Sequence, residues 1–290
     1  MEQNNQDKDK QELYRGMREA GMMVTAGVQG GGKTYQNMNI IVNYSRDKIA
    51  TKVRGRKCLI FDPNGEYTTE EFAKNGHANF NAKLIAIQDV GRWCRDAKVG
   101  AECRRIDAKS LTTSQKKAAL EYVMNEVKLC LLVLEDINTF VLKLTNMEEV
   151  IGKLVSLRHV STDILMSFQS LRSIEPRIWQ NARWTRLHKT AENVDEIKGK
   201  LTNYQLFKIA QIMIDLRFQK GDKRFFVYIT NFGRKIEGAF GKKEFTNACE
   251  RYLILNKKLV KEQSAINGVS EAEAVKQLTD EYIDTYYDNK

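Results

Sequence analysis

A glycine-rich loop at residues 27–34 carries the clearest chemical pattern in the sequence. Its letters, GVQGGGKT, have the spacing G-x-x-x-x-G-K-S/T that is typical of phosphate-binding loops (P-loops). Glycines let successive backbone N–H groups point at phosphate oxygens, while Lys33 reaches the β- and γ-phosphates and Thr34 holds Mg²⁺. The helix that follows adds the positive end of its dipole. The predicted nucleoside triphosphate site comprises Gly27, Gln29, Gly30, Gly31, Gly32, Lys33, Thr34 and Tyr35.

Two acidic residues follow a second apolar stretch. Residues 129–134, LCLLVL, predict a strand buried on both faces of a parallel sheet, and Glu135 and Asp136 come directly after it. P-loop hydrolases need an acidic residue at such a strand end for the Mg²⁺ shell, and a base or polariser for the attacking water. We expect Glu135 and Asp136 to serve these needs. The alternative is that the two acids only end a strand and cap a turn.

Gln169 and Arg158 are two further candidates. Gln169 ends the predicted strand 163–168, where an amide can contact a γ-phosphate or orient water. Arg158 ends the predicted helix 147–158, and an oligomeric ATPase needs an arginine from one subunit to stabilise transition-state charge in its neighbour. The ordinary alternatives are a polar strand end and a surface cation.

The elements that must position these residues alternate between strands and helices. Strands are predicted just before Gly27 and at 58–61, 82–87, 102–107, 129–134, 163–168, 183–188 and 223–230. Helices are predicted from the P-loop to residue 44 and at 113–128, 147–158, 204–218, 242–256 and 270–287. This order predicts one doubly wound, mostly parallel α/β domain. We assign 1–12 to a disordered tail, 13–240 to the P-loop domain and 241–290 to a C-terminal helical extension.

Composition narrows the classes of partner. The net charge of +10 favours a polyanion such as nucleic acid, the alternative being a solvated basic surface. The basic clusters are 52–57, 217–224 and 234–243. No apolar run approaches the roughly 18–20 residues that span a bilayer, and the polar N-terminus is unlike a signal peptide. Five cysteines without C-x-x-C spacing predict reduced thiols, and the three separated histidines offer no metal cluster.

Two motifs outside the P-loop carry a family resemblance. Residues 157–164, LRHVSTDI, are similar to the pattern R-H-x-G-x-D-I of zonula occludens toxin-like (Zot-like) proteins, and residues 62–67, DPNGEY, resemble the D-P-x-G-E-Y motif of HerA-like proteins. Together with the P-loop they resemble the FtsK–HerA superfamily of ring-forming ATPases that pump nucleic acid, over residues 20–190. Its viral branch, with Zot-like and virion genome-packaging ATPases, is the most similar part.

The resemblance implies a RecA-like P-loop fold with ATP and Mg²⁺ as cofactors. It implies that Lys33 and Thr34 bind nucleotide and metal, that Glu135 and Asp136 are the Walker B pair, and that Gln169 is a polar sensor. It makes Arg158 an arginine finger that acts on a neighbouring subunit.

The sequence departs from the family pattern in three ways. The acidic pair runs Glu–Asp instead of Asp–Glu, so either Glu135 lies near the metal with Asp136 as the base, or hydrolysis is slow. Ser161 replaces a glycine. The membrane span common in Zot-like assembly proteins is missing from the pattern.

These observations lead to one prediction and three alternatives. We expect a homo-oligomeric ring, a hexamer, that threads double-stranded DNA and packages a viral genome, with capsid proteins as further partners. Such a protein would lie in the cytoplasm of a host cell or in the virion. The alternatives are a Zot-like virion-assembly or secretion ATPase at a membrane, a P-loop kinase, and a nucleotide switch with negligible turnover.

Overall fold

The computed structural model describes residues 20–47, 54–136 and 147–288. The strands are β1 (Met22–Ala26), β2 (Lys57–Asp62), β3 (Ala82–Leu84), β4 (Cys103–Asp107), β5 (Cys130–Leu134), β6 (Asp163–Phe168), β7 (Ala182–His188), β8 (Phe226–Thr230) and β9 (Lys235–Gly238). The α-helices are α1 (Lys33–Tyr44), α2 (Thr69–Lys74), α3 (Val90–Arg95), α4 (Thr113–Glu126), α5 (Met147–Ser156), α6 (Pro176–Asn181), α7 (Tyr204–Gln219), α8 (Lys242–Leu255), α9 (Lys257–Asn267) and α10 (Glu271–Tyr286). The predicted tail 1–12 lies outside the described residues.

One mixed sheet organises the described residues. Its nine strands have the order β3-β4-β2-β5-β6-β1-β7-β8-β9. Strands β1 to β7 run parallel to one another, whereas β8 pairs antiparallel with both β7 and β9. β5 and β6 are buried along their whole lengths, as expected for central strands covered on both faces. The predicted doubly wound α/β class is confirmed.

β6 lies between β1 and β5, which decides what the site can bring together. Because parallel strands end at the same edge, the residues after β1, β6 and β5 meet at the carboxyl edge of the sheet. The P-loop follows β1, Gln169 follows β6, and Glu135 follows β5. Gln169 therefore lies between the P-loop and the acidic pair.

The C-terminal part differs from the predicted pattern. Three helices follow residue 241 where the sequence pattern predicted two, because Asn256 ends α8 and the next helix begins at once. Gly268, in the left-handed conformation at φ 63°, ends α9. Strand β9 and the one- to two-turn helices α2, α3 and α6 were also missed, since segments this short carry no measurable periodicity.

The C-terminal helices pack against the α/β part. α8 contacts α7, and α10 contacts α8 and β9. Phe240, Phe245 and Tyr287 form an aromatic cluster with ring centroids 5.4–6.1 Å apart. The buried apolar side chains of these helices belong to the same core as those of the sheet. Within the described residues, no helix is both long and apolar enough to cross a membrane.

Candidate nucleotide site

The P-loop opens into a polar cleft at the carboxyl edge of the sheet. The cleft has a volume of about 520 Å³. It is lined by Gln29, Gly30, Gly32, Lys33, Thr34, Tyr35, Asn64, Glu66, Asn75, Glu135, Asp136, Gln169 and Arg224. Six predicted nucleotide-binding residues thus share one cavity with the acidic pair and Gln169.

Neighbouring strands fix the P-loop backbone. Gly27 N–H donates to the Phe168 carbonyl at 3.2 Å, and Val28 N–H donates to the Lys189 carbonyl at 2.8 Å. A Cβ atom on Gly27 would lie 2.6 Å from His188 Cβ, so this position needs a glycine. Gly32, at φ 86°, is the N-cap of α1. The loop therefore turns directly into a helix, whose N-terminus favours anions.

Lys33 is held at the inner side of the loop. Its ammonium donates to the carbonyls of Gly27 at 2.8 Å and Val28 at 3.0 Å. Burial lowers the pKa of Lys33, while the nearby carboxylates of Glu135 and Asp136 oppose that shift. The side chain is thus a desolvated cation beside the cleft, which strengthens its attraction for phosphate.

The two acids after β5 have different surroundings. Glu135 is 2% exposed, and its Oε2 accepts from Tyr67 OH at 2.5 Å and Asn37 Nδ2 at 2.9 Å. Burial raises the pKa of Glu135 to about 7, and the charge of Asp136 adds to the shift. Asp136, at φ 45°, accepts from Gln169 Nε2 at 2.8 Å and Asn64 Nδ2 at 3.2 Å. Glu135 therefore belongs to a buried network, whereas Asp136 is presented among cleft-lining amides.

The DPNGEY segment is a turn built around one carboxylate. Asp62, fully buried at the end of β2, accepts from the backbone N–H groups of Gly65, Glu66 and Tyr67 at 2.8–3.0 Å. Arg105 adds a 3.2 Å contact to the same carboxylate. The turn directs Glu66 to Thr34, whose hydroxyl donates to Glu66 Oε2 at 3.0 Å. It also directs Tyr67 to Glu135, so one short motif reaches both sides of the site.

A buried polar network supports the P-loop from β7. Arg186 is fully buried and donates to Asn37 Oδ1 and to the Lys33 carbonyl. Its Nε donates to His188 Nε2 at 3.1 Å, while His188 Nδ1 lies 2.8 Å from the Gly31 carbonyl. Since that carbonyl can only accept, Nδ1 carries the proton and the ring is neutral. Burial and the Arg186 charge accordingly lower the pKa of His188 to about 3.

Arg158 is placed far from this cleft in its own chain. It is exposed in the 3₁₀ segment Leu157–Val160, which precedes β6, and therefore lies at the amino edge of the sheet. There it lines a second cavity, of about 350 Å³, with Arg183 and Phe232. Ser161 adopts the left-handed conformation, φ 54° and ψ 35°. The serine keeps the backbone geometry that a glycine would allow at that motif position.

Asp163 of the same motif joins three segments at the amino edge. It is buried, and it accepts from Gly21 N–H at 2.8 Å and from Tyr44 OH at 2.6 Å. Tyr44 is the last residue of α1, the helix that begins at Lys33. The segment that carries Arg158 is therefore tied to the far end of the P-loop helix.

The sequence pattern did not reveal several residues of the site. These are Asn37, Asn64, Glu66, Tyr67, Arg186, His188 and Arg224. The DPNGEY motif was the signal available for Asn64, Glu66 and Tyr67. Arg224, counted above in a basic cluster, lines the cleft because β8 runs antiparallel to β7 and the turn just before β8 therefore lies beside the P-loop.

The comparisons with known proteins agree with this architecture. No family model matches the chain, and no curated protein matches it either. Among solved structures, B204, the DNA-packaging ATPase of Sulfolobus turreted icosahedral virus, is similar at a TM-score of 0.51 and 13% identity, over 76% of this chain and 97% of that one. The N-terminal domain of zonular occludens toxin from Neisseria meningitidis gives a TM-score of 0.33 at 13% identity, over 60% of this chain and 79% of that one.

The likeness to B204 shows that the chain has the P-loop NTPase fold predicted from its motifs. B204 is itself a viral DNA-packaging ATPase, which is one of the kinds of protein that the sequence motifs resemble.

Proposed function

We propose that this protein is an ATP hydrolase of the viral FtsK–HerA and Zot-like type, and that it moves double-stranded DNA during genome packaging. The observation that carries the proposal is the convergence of Lys33, Thr34, Asp136 and Gln169 on one cleft. Phosphoryl transfer to water requires a loop that binds the phosphates, oxygen ligands for the metal ion, and a group that polarises the attacking water.

The cleft suits a nucleotide–Mg²⁺ complex. Within the described residues no three histidine, cysteine or acidic side chains converge closely enough to hold a metal unaided. Mg²⁺ does not need such a cage, since one or two carboxylates plus substrate phosphates suffice. Bound there, it would neutralise the charge that develops on the phosphates. We propose that Thr34 and Glu135 lie on the metal side of the site.

The remaining roles follow from position. Lys33 and the loop N–H groups of Gly30 to Gly32 bind the phosphates, and Tyr35 and Gln29 border them. Asp136 accepts the proton of the attacking water, held in place by the amide of Gln169. Gln169 also contacts the acid and faces the cleft, so it is the residue through which the state of the γ-phosphate reaches β6.

In a ring, the arginine side chain at each cleft would come from the Arg158 of a neighbouring subunit. Arg158 and the P-loop lie at opposite edges of one sheet, so Arg158 acts only on another copy. A head-to-tail ring places the amino edge of one subunit against the carboxyl edge of the next. We propose such a ring, a hexamer, with Arg158 as the finger that stabilises transition-state charge in trans.

DNA contact is proposed for the exposed basic residues. Lys57 is an unsuitable contact, because its ammonium donates to the carbonyls of Trp93, Cys94 and Asp96 at 2.6–3.2 Å. Exposed cations remain in each cluster, namely Arg54, Lys220, Lys223, Arg234, Lys242 and Lys243. Contacts of this kind bind phosphate and weaken steeply as salt rises.

The test is steady-state ATP hydrolysis with and without linear duplex DNA at low salt. We expect hydrolysis that duplex DNA stimulates, and that Lys33→Ala abolishes together with nucleotide binding. Lys98→Ala, an exposed lysine away from the cleft, serves as the control. Hydrolysis that DNA leaves unchanged would reject the motor and favour the kinase. Nucleotide binding with no turnover in any condition would favour the switch.

A further inference from the structure

The turn after β2 brings a third carboxylate to the nucleotide site. Thr34 supplies the hydroxyl that P-loops direct at Mg²⁺, and in this structure that hydroxyl donates to Glu66 Oε2 at 3.0 Å. Neither Glu135 nor Asp136 makes this contact, although both border the cleft. The carboxylate next to the metal-binding hydroxyl is therefore supplied by the DPNGEY turn.

The spacing of the two oxygens fits the metal. Mg²⁺ binds oxygen at 2.0–2.1 Å in near-ideal octahedral geometry, so neighbouring ligand oxygens lie about 2.9 Å apart. The 3.0 Å between Thr34 Oγ1 and Glu66 Oε2 is a hydrogen-bond length, and two oxygens at this separation need to move little to become neighbouring ligands of one ion. The same spacing also suits a carboxylate that holds a metal-bound water beside the hydroxyl.

The backbone of Glu66 is fixed independently of any ligand. Glu66 N–H donates to Asp62 at 3.0 Å, Gly65 beside it takes the left-handed conformation at φ 75°, and Tyr67 N–H is tied to Asp62 as well. The side chain itself remains exposed in the cleft. A fixed backbone with an exposed carboxylate beside Thr34 is the arrangement expected of a preformed ligand.

Glu135 has less freedom to serve the metal alone. Its Oε2 already accepts two hydrogen bonds, from Tyr67 and Asn37, and the side chain is almost fully buried. The Glu66 side chain, by contrast, is exposed in the cleft, and its Oε2 accepts from the Thr34 hydroxyl.

We propose that Glu66 is a metal-side residue of this site, holding Mg²⁺ with Thr34 directly or through one bound water. The proposal deepens the function proposed above and rests on it. Glu135 is then the buried carboxylate of the metal side, and the hydrogen bonds that Tyr67 and Asn37 donate to it hold it in place.

The experiment measures how much a metal tightens nucleotide binding. The affinity of the whole chain for a fluorescent ATP analogue is measured in EDTA and in Mg²⁺, and Mn²⁺ binding to the nucleotide complex is followed by electron paramagnetic resonance. Glu66→Gln keeps the shape and the contact to Thr34 but removes the charge. Glu70→Gln, an exposed glutamate in the first turn of α2, is the matched control.

We expect Glu66→Gln to bind nucleotide in EDTA at least as tightly as wild type, because a negative charge near the phosphates is lost. Its metal-dependent gain in affinity should fall about 10- to 100-fold, the usual cost of a changed metal-supporting residue. Glu70→Gln should keep the full gain.

Two results would overturn the assignment. An unchanged metal-dependent gain in Glu66→Gln would remove Glu66 from the metal side. A loss of nucleotide binding already in EDTA would give Glu66 a role in shaping the loop instead. Failure of the proposed function is a separate result, because it would be seen in wild type itself, as no nucleotide binding, no turnover or no response to DNA.

Discussion

The two edges of the sheet differ in how far their candidate functional groups are buried and hydrogen-bonded. At the carboxyl edge, Glu135, Arg186 and His188 are buried, and the side chain of each makes two or more hydrogen bonds. At the amino edge, Arg158 is exposed, and Phe232, which lines the same cavity, is 71% exposed. The carboxyl edge is thus a preorganised site, whereas the amino edge presents groups that a second molecule could use.

The proposed hydrolysis would use the two edges in different ways. Positions that bind nucleotide must be rigid before it arrives, since reorganisation would cost catalytic power. A residue that acts on a neighbour must stay accessible until the neighbour docks. α1 connects the two edges of the sheet, because it starts at the P-loop and its last residue, Tyr44, donates to Asp163 at the amino edge.

The largest expected effect concerns the amino edge. Arg158→Ala should lower kcat by roughly 10³-fold while nucleotide affinity stays near that of wild type, because an arginine finger acts on the transition state. Mixing Arg158→Ala with Lys33→Ala should restore part of the activity, since some interfaces then combine an intact loop with an intact finger. Arg92→Ala, a surface arginine of α3, is the control for charge loss. Absence of rescue on mixing would argue against action in trans.

The next effect concerns the buried support of the P-loop. Arg186→Met should destabilise the fold by about 3–5 kcal/mol, because it leaves the acceptors on Asn37 and His188 buried without their donor. The free energy of unfolding from urea titration measures it. Arg183→Met, at the other end of β7 and stacked on Trp184, should cost under about 1 kcal/mol. An equal loss in the free energy of unfolding for both variants would show that the two ends of β7 do not differ in this way.

A smaller effect is expected at Asp136, the acid proposed as the base. Asp136→Asn should lower kcat about 100-fold with nucleotide affinity retained, because the amide keeps the shape but cannot take a proton. Asp107→Asn makes the same change at the end of β4, outside the cleft lining, and should leave kcat unchanged. If Asp136→Asn turned over at the wild-type rate, the general base would have to be another carboxylate.

The smallest effect is a pH dependence of stability. The pKa of His188 is about 3 in the fold against about 6.5 unfolded, so the unfolded chain binds the extra proton and stability falls as pH drops below 6.5. Between pH 6.5 and 5 this contributes a loss of about 2 kcal/mol. His188→Gln should lack that part of the slope. Parallel stability curves for the two proteins would contradict the prediction.

The comparison with His188→Gln is needed because another group titrates in the same range with the opposite sign. The pKa of Glu135 is raised to about 7, so its contribution makes stability fall as pH rises through that range. The difference in stability between wild type and His188→Gln at each pH gives the contribution of the histidine alone.

Much of the carboxyl edge could be predicted because its signals are local. The glycine spacing of the P-loop and the acids after LCLLVL depend on backbone rules that act within a few residues, and the structure brings Lys33, Thr34, Glu135, Asp136 and Gln169 to one cleft. The helices of the C-terminal part were less predictable, because a new helix starts directly at Lys257 with little break in the polar pattern.

What the sequence by itself determined was the chemistry available: a phosphate loop, an acidic pair, an arginine motif and an α/β order of elements. Only the tertiary structure decided which groups meet. Arg224 reaches the cleft because β8 is antiparallel, Glu66 meets Thr34 because the turn after β2 closes over α1, and Arg158 lies at the opposite edge. Local patterns follow from neighbouring residues, whereas these pairings depend on the order and direction of strands, which join residues far apart in the chain.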